Sequence, residues 1–242
     1  MPRPIRAVFF DIDDTLYSTS AFAARARRNS IEAMIRLGLA VSPEAAYAEL
    51  LEVISEFSSN DEHHYERLLS RLPEPARRAC DANLLTAAAV VAYHETKARE
   101  LKPFPEVHEV MEALRADGRR IGIVTAGLTV KQSEKLVRLG LPAYLPPGSI
   151  TISDEVGISK PNPKLFLRAC ERMGVVPGGA AYVGDHPQSD IDPANRAGLL
   201  TFLVRRTAPE GVQRPEGRTA PSHVLADLRP IPDLLRRHEA TG

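Results

Sequence analysis

The sequence predicts an α/β protein, a doubly wound parallel sheet with an all-helical block inserted after the first strand. The first observation is a short apolar run, Ala7–Phe10, that stops at a cluster of aspartates. The second is the region 18–102, where apolar residues recur only at helical spacing. The third is that apolar strands alternate with amphipathic helices after residue 103, a pattern typical of a parallel sheet with helices on both faces.

Composition sets outer limits on the function. The chain has 242 residues, and its 31 Lys and Arg balance its 31 Asp and Glu, so no overall field attracts nucleic acid or an anionic membrane. No run approaches the ~18 apolar residues that a transmembrane helix needs. The two cysteines lack a CxxC spacing and fit free thiols in a reducing compartment. We therefore expect a cytoplasmic protein with neither nucleic acid nor membrane as a partner.

The inserted block begins with a helix whose residues Ile31, Met34 and Ile35 share one face. Ser42 suits the N-cap of the next helix, because Pro43 follows at its first position. Two more helices are predicted over about residues 62–70 and 76–97. The apolar face of the helix after Ser42 is predicted to comprise Tyr47, Leu50, Leu51, Ile54 and Phe57.

The remaining elements alternate between the two types. The predicted strands are Arg120–Thr125, a short strand reaching Ile152, Ala180–Asp185, Thr201–Val204 and an edge strand within "HVLADL". The predicted helices carry Val107, Val110, Met111 and Leu114 on one face, or span about Val130–Leu139, Asn162–Met173 and Asp190–Ala197, with a last one in "IPDLLRRH". The segment 206–222, rich in Pro, Gly and charge, is predicted to be a surface loop.

The chain leaves the predicted sheet near Tyr17 and returns near Pro103. We therefore predict a core of residues 1–17 and 103–242 and a helical cap of residues 18–102. Because two crossings between the same two bodies make a hinge, we expect the cap to be mobile. An exposed apolar face on the cap would allow two chains to pair as a homodimer.

Polar residues collect where the predicted strands end, and ligands bind there in open parallel sheets. The residues concerned are Asp11 and Asp13 after the first strand, Thr125 in "VTAG", Lys160 before a helix, and Asp185 and Asp190 in "VGDHPQSD". The carboxylates of Asp11, Asp185 and Asp190 offer the oxygen ligands that Mg²⁺ favours. A bound cation would make their clustered negative charge tolerable. Thr125 and Lys160 would then face a phosphate, and Gly127 and Gly184 allow close backbone approach.

Four stretches, "DIDDT", "TAG", "SKPNP" and "GDHPQSD", resemble in order the four motifs of the haloacid dehalogenase (HAD) superfamily. The insertion after the first motif resembles the helical cap of that superfamily, and the fold implied is a Rossmann-like core. More narrowly, "DDTLY", "VKQSEKLVRL" and "GISKPNPKLF" resemble the magnesium-dependent phosphatases of archaea and some bacteria. Four motifs in order are a specific signal, whereas each alone is weak.

The resemblance implies roles for four residues. Asp11 is expected to be the nucleophile that forms an aspartyl-phosphate. Asp13 is expected to protonate the leaving alcohol and then to activate water. Thr125 is expected to hold the phosphoryl group, and Lys160 to stabilise its charge.

The resemblance also implies the ligand sets and the substrate class. The metal ligands would be Asp11, the backbone carbonyl of Asp13, Asp185 and Asp190, the last either directly or through water. The phosphate would contact Asp11, Thr125, Ala126 and Lys160. Ala126 stands where many relatives carry Asn or Asp, so contacts with the substrate are expected to differ there. The expected substrate is a small phosphorylated metabolite: a sugar or triose phosphate, such as glyceraldehyde 3-phosphate, or a nucleoside monophosphate.

Two other functions stay open at this point: a phosphomutase with the same nucleophile, and a non-catalytic phosphate-binding protein. Dehalogenation is disfavoured, because dehalogenases of the superfamily lack an aspartate two residues after the nucleophile, where this chain has Asp13. Other candidate residues have a simpler interpretation. The run 61–64 could bind a metal but is better explained as a solvated helix start, Asp14 as a turn acceptor and His186 as an exposed loop residue. For Tyr17 and Phe22, substrate contact and packing both stay open.

Overall fold

A computed structural model describes residues 3–58, 61–206 and 216–240 of the chain. These residues form two compact units. Unit 1 comprises residues 1–18 and 102–242, and unit 2 comprises residues 19–101.

The elements alternate in unit 1 and are helical throughout the described part of unit 2. The strands are β1 (Ala7–Phe10), β2 (Arg120–Thr125), β3 (Ile150–Ile152), β4 (Ala180–Gly184), β5 (Leu200–Val204) and β6 (His223–Leu225). The helices are α1 (Thr19–Arg36), α2 (Pro43–Phe57), α3 (His64–Arg71), α4 (Glu74–Arg77), α5 (Ala82–Glu100), α6 (Val107–Ala116), α7 (Thr129–Arg138), α8 (Ser153–Val156), α9 (Pro163–Arg172), α10 (Asp192–Ala197) and α11 (Ile231–Ala240). A π-helical turn, Pro187–Ile191, leads directly into α10.

The sheet of unit 1 has the strand order β3-β2-β1-β4-β5-β6, and every pairing is parallel. β1 lies between β2 and β4, with Phe10 paired to Ile123 on one side and to Val183 on the other. The four residues of β1 are buried, which explains why it is an uninterrupted apolar run. The order reverses around β1, so the carboxyl ends of β1, β2 and β4 meet at a switch point. The predicted doubly wound parallel sheet is confirmed.

Helices cover the sheet through the apolar faces that the periodicity predicted. Val107, Val110, Met111 and Leu114 of α6 are all buried. On α9, Phe166 packs edge-on against Tyr182 of β4, with ring centroids 4.8 Å apart. These contacts fix the strands whose ends carry the polar residues.

The two segments of unit 1 are tied together beside their junctions with unit 2. The Phe104 backbone N–H donates to the Leu16 carbonyl at 2.9 Å. Arg206, just beyond β5, donates to the Thr15 carbonyl at 3.1 Å and to Glu106 at 2.6 Å, and its guanidinium stacks over the Phe104 ring. The chain segments that leave and re-enter unit 1 are therefore anchored to each other.

Unit 2 has its own apolar core between its helices. Buried members include Ile31, Met34, Leu39, Leu50, Leu68, Leu85 and Ala89. The Ser30 hydroxyl contacts the carbonyls of Ala26 and Ala89 at 2.9 Å and accepts a hydrogen bond from Tyr65. This polar contact ties α1 to α5. Leu84 and Val91 on α5 have exposed side chains. The pairing of two chains through an apolar face of this kind stays a prediction.

Two helix predictions in unit 2 were wrong in part. The single helix over 76–97 is two helices, α4 and α5, because the Asp81 carboxylate accepts from the Asn83 N–H and starts a new helix. On α2 the predicted Ser42 cap is confirmed, but Leu51 and Phe57 are 40% and 38% exposed. Ala46 and Val53 are buried with Leu50 instead, since the face turned to the unit's core lies further around the helix.

Residues 207–215 of the predicted surface loop lie outside the described residues. The part that follows is held by Asp192 of α10, whose carboxylate accepts from the backbone N–H groups of Arg218 and Thr219 at 2.9 and 2.8 Å. Within 3–58, 61–206 and 216–240, no helix has both the length and the apolar character needed to cross a membrane.

Candidate active site

Three carboxylates meet at the carboxyl edge of the sheet. Asp11 follows β1, Asp185 follows β4, and Asp190 lies in the π-helical turn after β4. One oxygen from each lies within 4.8 Å of the others, and no other group of three or more acidic, histidine or cysteine side chains in the described part of the chain is so arranged. Asp11 and Asp190 are only 7% and 1% exposed. An all-oxygen donor set of this kind fits a hard divalent cation.

Lys160 lies among these carboxylates. Its Nζ is 2.6 Å from Asp11 Oδ1, 2.7 Å from Asp190 Oδ1 and 2.7 Å from the Tyr182 hydroxyl. A lysine ammonium has three N–H donors and no acceptor, so these three contacts satisfy it completely. One ammonium cannot neutralise three ionised carboxylates, so the cluster would need a further positive charge to be neutral.

The protonation of the site follows from burial and from these pairings. Burial raises the pKa of Asp11 to about 6, although Lys160 acts in the opposite direction. Burial also lowers the pKa of Lys160, but the charges of Asp11 and Asp190 outweigh it and leave that pKa above its usual value. Lys160 is therefore the permanent cation of the site.

Asp13 is surrounded by hydrogen-bond donors. Lys135 Nζ lies 2.7 Å from Asp13 Oδ1 and 2.8 Å from Oδ2, and Gln132 Nε2 lies 3.3 Å from Oδ2. The Tyr17 hydroxyl donates to Oδ1 at 2.7 Å. The next residue, Asp14, has a φ of +52°, a left-handed conformation that aspartate tolerates. Sequence reasoning missed Lys135 and Gln132, although their spacing of three residues on α7 places them on one face.

The loop after β2 is fixed around Thr125, which ends that strand and is buried. The Ala126 carbonyl accepts from Gln132 Nε2 at 2.5 Å, and the Gly127 N–H donates to Ser153 Oγ at 2.9 Å. Gly127 has a φ of +132°, and a Cβ there would lie 2.7 Å from Gln132 Nε2. The positive φ favours glycine here, and an added Cβ would also displace the Gln132 amide.

Gly184 makes room for Asp190. A Cβ on Gly184 would lie 2.5 Å from Asp190 Oδ2. That oxygen accepts from the backbone N–H groups of Asp185 and His186 at 3.2 and 3.0 Å. Close packing and two backbone donors therefore hold the Asp190 carboxylate toward Asp11.

Comparison of the chain with known protein families agrees with the four motifs. A family model described as haloacid dehalogenase-like hydrolase matches residues 5–198. The chain belongs to this family. The resemblance carried by the four motifs is thereby confirmed.

Relatives within the haloacid dehalogenase-like hydrolases cover almost the whole chain. A glyceraldehyde 3-phosphate phosphatase of Methanopyrus kandleri is 45% identical over 96% of this chain and 97% of its own length. A glyceraldehyde 3-phosphate phosphatase of Pyrococcus furiosus is 41% identical over 99% and 96%. The crystal structure of a HAD phosphatase from Thermococcus onnurineus is similar with a TM-score of 0.67, at 26% identity over 95% of this chain and 97% of that one.

Other candidate residues of this haloacid dehalogenase-like hydrolase have structural contacts within their own units. Asp61 accepts from the His63 N–H and from Arg67, and His64 Nε2 lies 2.8 Å from the Ser58 carbonyl. The metal-like grouping found in the described residues includes none of them. This agrees with a helix start, since α3 begins at His64.

The three remaining candidates also have assigned contacts. His186 is half-buried, whereas an exposed loop residue was expected. Its Nδ1 accepts from the Ser189 N–H and so caps the π-helical turn. Phe22 packs edge-on against Tyr93 within unit 2, with centroids 5.8 Å apart. Tyr17 is buried, and its hydroxyl binds Asp13. The catalytic roles of Asp11, Asp13, Thr125 and Lys160 stay predictions.

Proposed function

We propose that this haloacid dehalogenase-like hydrolase is a Mg²⁺-dependent phosphatase that hydrolyses glyceraldehyde 3-phosphate and similar small phosphate monoesters. The observation that carries the proposal is the convergence of Lys160 and of the carboxylates of Asp185 and Asp190 on Asp11. The choice of substrate is supported by the names of the relatives that cover at least 96% of this chain.

Mg²⁺ is proposed as the metal because the donors are oxygens. The carboxylates of Asp11 and Asp185 and the backbone carbonyl of Asp13 would hold it, and the carboxylate of Asp190 would do so directly or through water. When bound, the ion supplies positive charge that neutralises the phosphate oxygens and the carboxylates around them. Burial raises the pKa of Asp11, which agrees with a need for such compensation.

In the first half-reaction, a carboxylate oxygen of Asp11 attacks the phosphorus, and the bond between phosphorus and the alcohol oxygen breaks. Protonated Asp13 gives its proton to that oxygen, so the alcohol leaves neutral. Lys160 holds the attacking carboxylate, and Thr125 binds phosphate oxygens with its hydroxyl and N–H. Positioning and charge neutralisation supply most of the rate in phosphoryl transfer.

In the second half-reaction, Asp13 is a carboxylate and takes a proton from a water molecule as that water attacks the phosphorus. The bond between phosphorus and Asp11 breaks, inorganic phosphate leaves, and Asp13 is again protonated. The donors around Asp13 support this step, since they stabilise its carboxylate form.

The test measures inorganic phosphate released from glyceraldehyde 3-phosphate with Mg²⁺, with EDTA, and in the Asp11→Asn variant. We expect turnover by the wild type with Mg²⁺, and none with EDTA or in Asp11→Asn. Asp233→Asn, an exposed carboxylate on α11, is the matched control and should keep full turnover. Unimpaired hydrolysis by Asp11→Asn would remove the mechanism.

A panel of sugar phosphates and nucleoside monophosphates tests the substrate. Glyceraldehyde 3-phosphate should have the highest kcat/KM of the panel, and a higher value for a nucleoside monophosphate would change the assignment. Conversion of a hexose 1-phosphate to its isomer without phosphate release would instead indicate a phosphomutase.

A further inference from the structure

Tyr182 is a buried tyrosine whose hydroxyl group lies inside the acidic cluster. It is the central residue of β4, and its ring packs edge-on against Phe166 of α9. Its hydroxyl oxygen lies 2.7 Å from Lys160 Nζ and 3.0 Å from Asp190 Oδ1. None of the four family motifs includes this residue.

The hydroxyl group completes the surroundings of Lys160. Two of the ammonium's three N–H donors are taken by Asp11 and Asp190, and the Tyr182 oxygen accepts the third. A neutral acceptor fixes the direction of the third N–H without adding another negative charge. With phenylalanine at this position, one N–H of a buried ammonium would lose its partner, which is costly in a dry site.

The hydroxyl proton of Tyr182 has two acceptors within reach. These are Asp190 Oδ1 at 3.0 Å and the Val124 carbonyl at 3.1 Å, the latter on β2 immediately before Thr125. Tyr182 is fully buried, so these protein groups are the neighbours of its hydroxyl. One hydroxyl therefore connects Lys160, Asp190 and the strand that ends in Thr125.

We propose that Tyr182 is a positioning residue for catalysis, which acts by fixing the Lys160 ammonium between Asp11 and Asp190. This proposal rests on the proposed phosphatase function. Tyr182 itself does not touch the phosphoryl group. Its hydroxyl keeps the lysine directed at the oxygen of Asp11 that it must hold while charge builds up during phosphoryl transfer.

The hydroxyl can be tested separately from the ring. Tyr182→Phe keeps the ring that packs against Phe166 and removes only the oxygen. We expect kcat with p-nitrophenyl phosphate to fall by about 10- to 100-fold, the range for losing a hydrogen bond to a charged group, with KM within about threefold. The matched control is Tyr65→Phe in unit 2, which also removes a largely buried hydroxyl bound to a neighbour. It should lower Tm and leave kcat unchanged.

A double-mutant cycle decides whether Tyr182 acts through Lys160. In the Lys160→Met background, Tyr182→Phe should change kcat by less than about twofold, because the partner it orients is gone. An undiminished loss in that background would overturn the proposal. So would a Tyr182→Phe protein that loses thermal stability but keeps the wild-type kcat, since that result assigns the hydroxyl a structural role only.

A binding measurement separates this proposal from the phosphatase assignment. If the wild type hydrolyses no phosphate monoester, the assignment fails, and calorimetric titration with inorganic phosphate in the presence of Mg²⁺ then tests Tyr182. The same titration replaces kcat if Lys160→Met has no measurable turnover. Weaker binding by Tyr182→Phe, by about tenfold, supports the proposal, provided the loss disappears in the Lys160→Met background. Equal affinities in wild type and Tyr182→Phe, or no binding by either, overturn it.

Discussion

The Lys135 ammonium lies 2.7 and 2.8 Å from the two carboxylate oxygens of Asp13, a residue 122 positions earlier in the chain. With Gln132 and Tyr17, it surrounds this carboxylate with donors. These contacts favour the ionised form, which the proposed second half-reaction needs. The proposed first half-reaction needs Asp13 protonated, a form that these contacts do not favour. Lys135 is thus expected to fix the position of Asp13 and to assist the second half-reaction more than the first.

Replacing Lys135 by methionine should slow the second half-reaction, because it removes a donor that favours the ionised form of Asp13. With p-nitrophenyl phosphate, whose leaving group needs no proton, the first turnover should change only a few-fold. The steady-state rate, which includes hydrolysis of the aspartyl-phosphate, should fall by about 10- to 100-fold. Quenched-flow measurement of the first turnover and of the steady state checks this. Lys164→Met, an exposed lysine on α9, is the control. An equal loss in the first turnover and in the steady state would contradict a role through Asp13.

Replacing Gly184 by alanine should displace a proposed metal ligand. The added methyl would lie 2.5 Å from Asp190 Oδ2, so that carboxylate has to move. We expect kcat to fall by at least about 100-fold and Mg²⁺ binding to weaken, because metal geometry tolerates little displacement. Gly178→Ala is the matched control, since nothing lies within 4 Å of its added methyl. Wild-type kinetics in Gly184→Ala would show that Asp190 need not hold this position.

Mg²⁺ should stabilise the protein through the acidic cluster. Binding to the folded state alone raises Tm with ligand concentration. We expect a rise in Tm for the wild type and none for Asp190→Asn, measured by calorimetry with and without Mg²⁺. Asp192→Asn should lower Tm, because Asp192 binds the N–H groups of Arg218 and Thr219, yet should keep the rise with Mg²⁺. Loss of the Mg²⁺ effect in Asp192→Asn as well would argue against a site-specific effect.

The ion pair between Arg119 and Glu239 should make stability depend on pH. Hydrogen bonding from Arg119 is the main cause that lowers the pKa of Glu239 below its usual 4.5. A lowered pKa in the folded state means that the stabilisation is present above pH 4.5 and disappears as the pH falls through the folded-state value. Glu239→Gln should therefore reduce the free energy of unfolding by about 1 kcal/mol at pH 7 and by much less at pH 3. Urea unfolding at both pH values measures this.

The matched control for that experiment is Glu171→Gln, which removes an exposed ion pair with Arg168. It should have little effect at either pH, because exposed pairs contribute little. A Glu239→Gln effect that is equal at pH 7 and pH 3 would show that packing, and not charge, stabilises this contact.

The sequence by itself determined the elements and the residues that end the strands. Ala7–Phe10 is an apolar run because both faces of β1 are buried, so its position could be predicted without a structure. The polar motifs follow directly from the ends of such strands, and parallel strands bring their carboxyl ends together. Asp11, Thr125, Asp185 and Asp190 could therefore be grouped from sequence. Leu51 and Phe57 could not be placed correctly, because periodicity alone does not show which side of α2 faces its neighbours.

Only the tertiary structure decided which side chains from distant segments meet within the cluster. Nothing in the local patterns of Lys135 or Tyr182 shows that one contacts Asp13 and the other Lys160. Periodicity indicates the type of an element, whereas a hydrogen bond between residues 122 positions apart depends on strand order, register and helix placement. The sequence thus indicated the candidate reacting groups, and the pairing of β4 with β1 and the placement of α7 set the contacts that orient them.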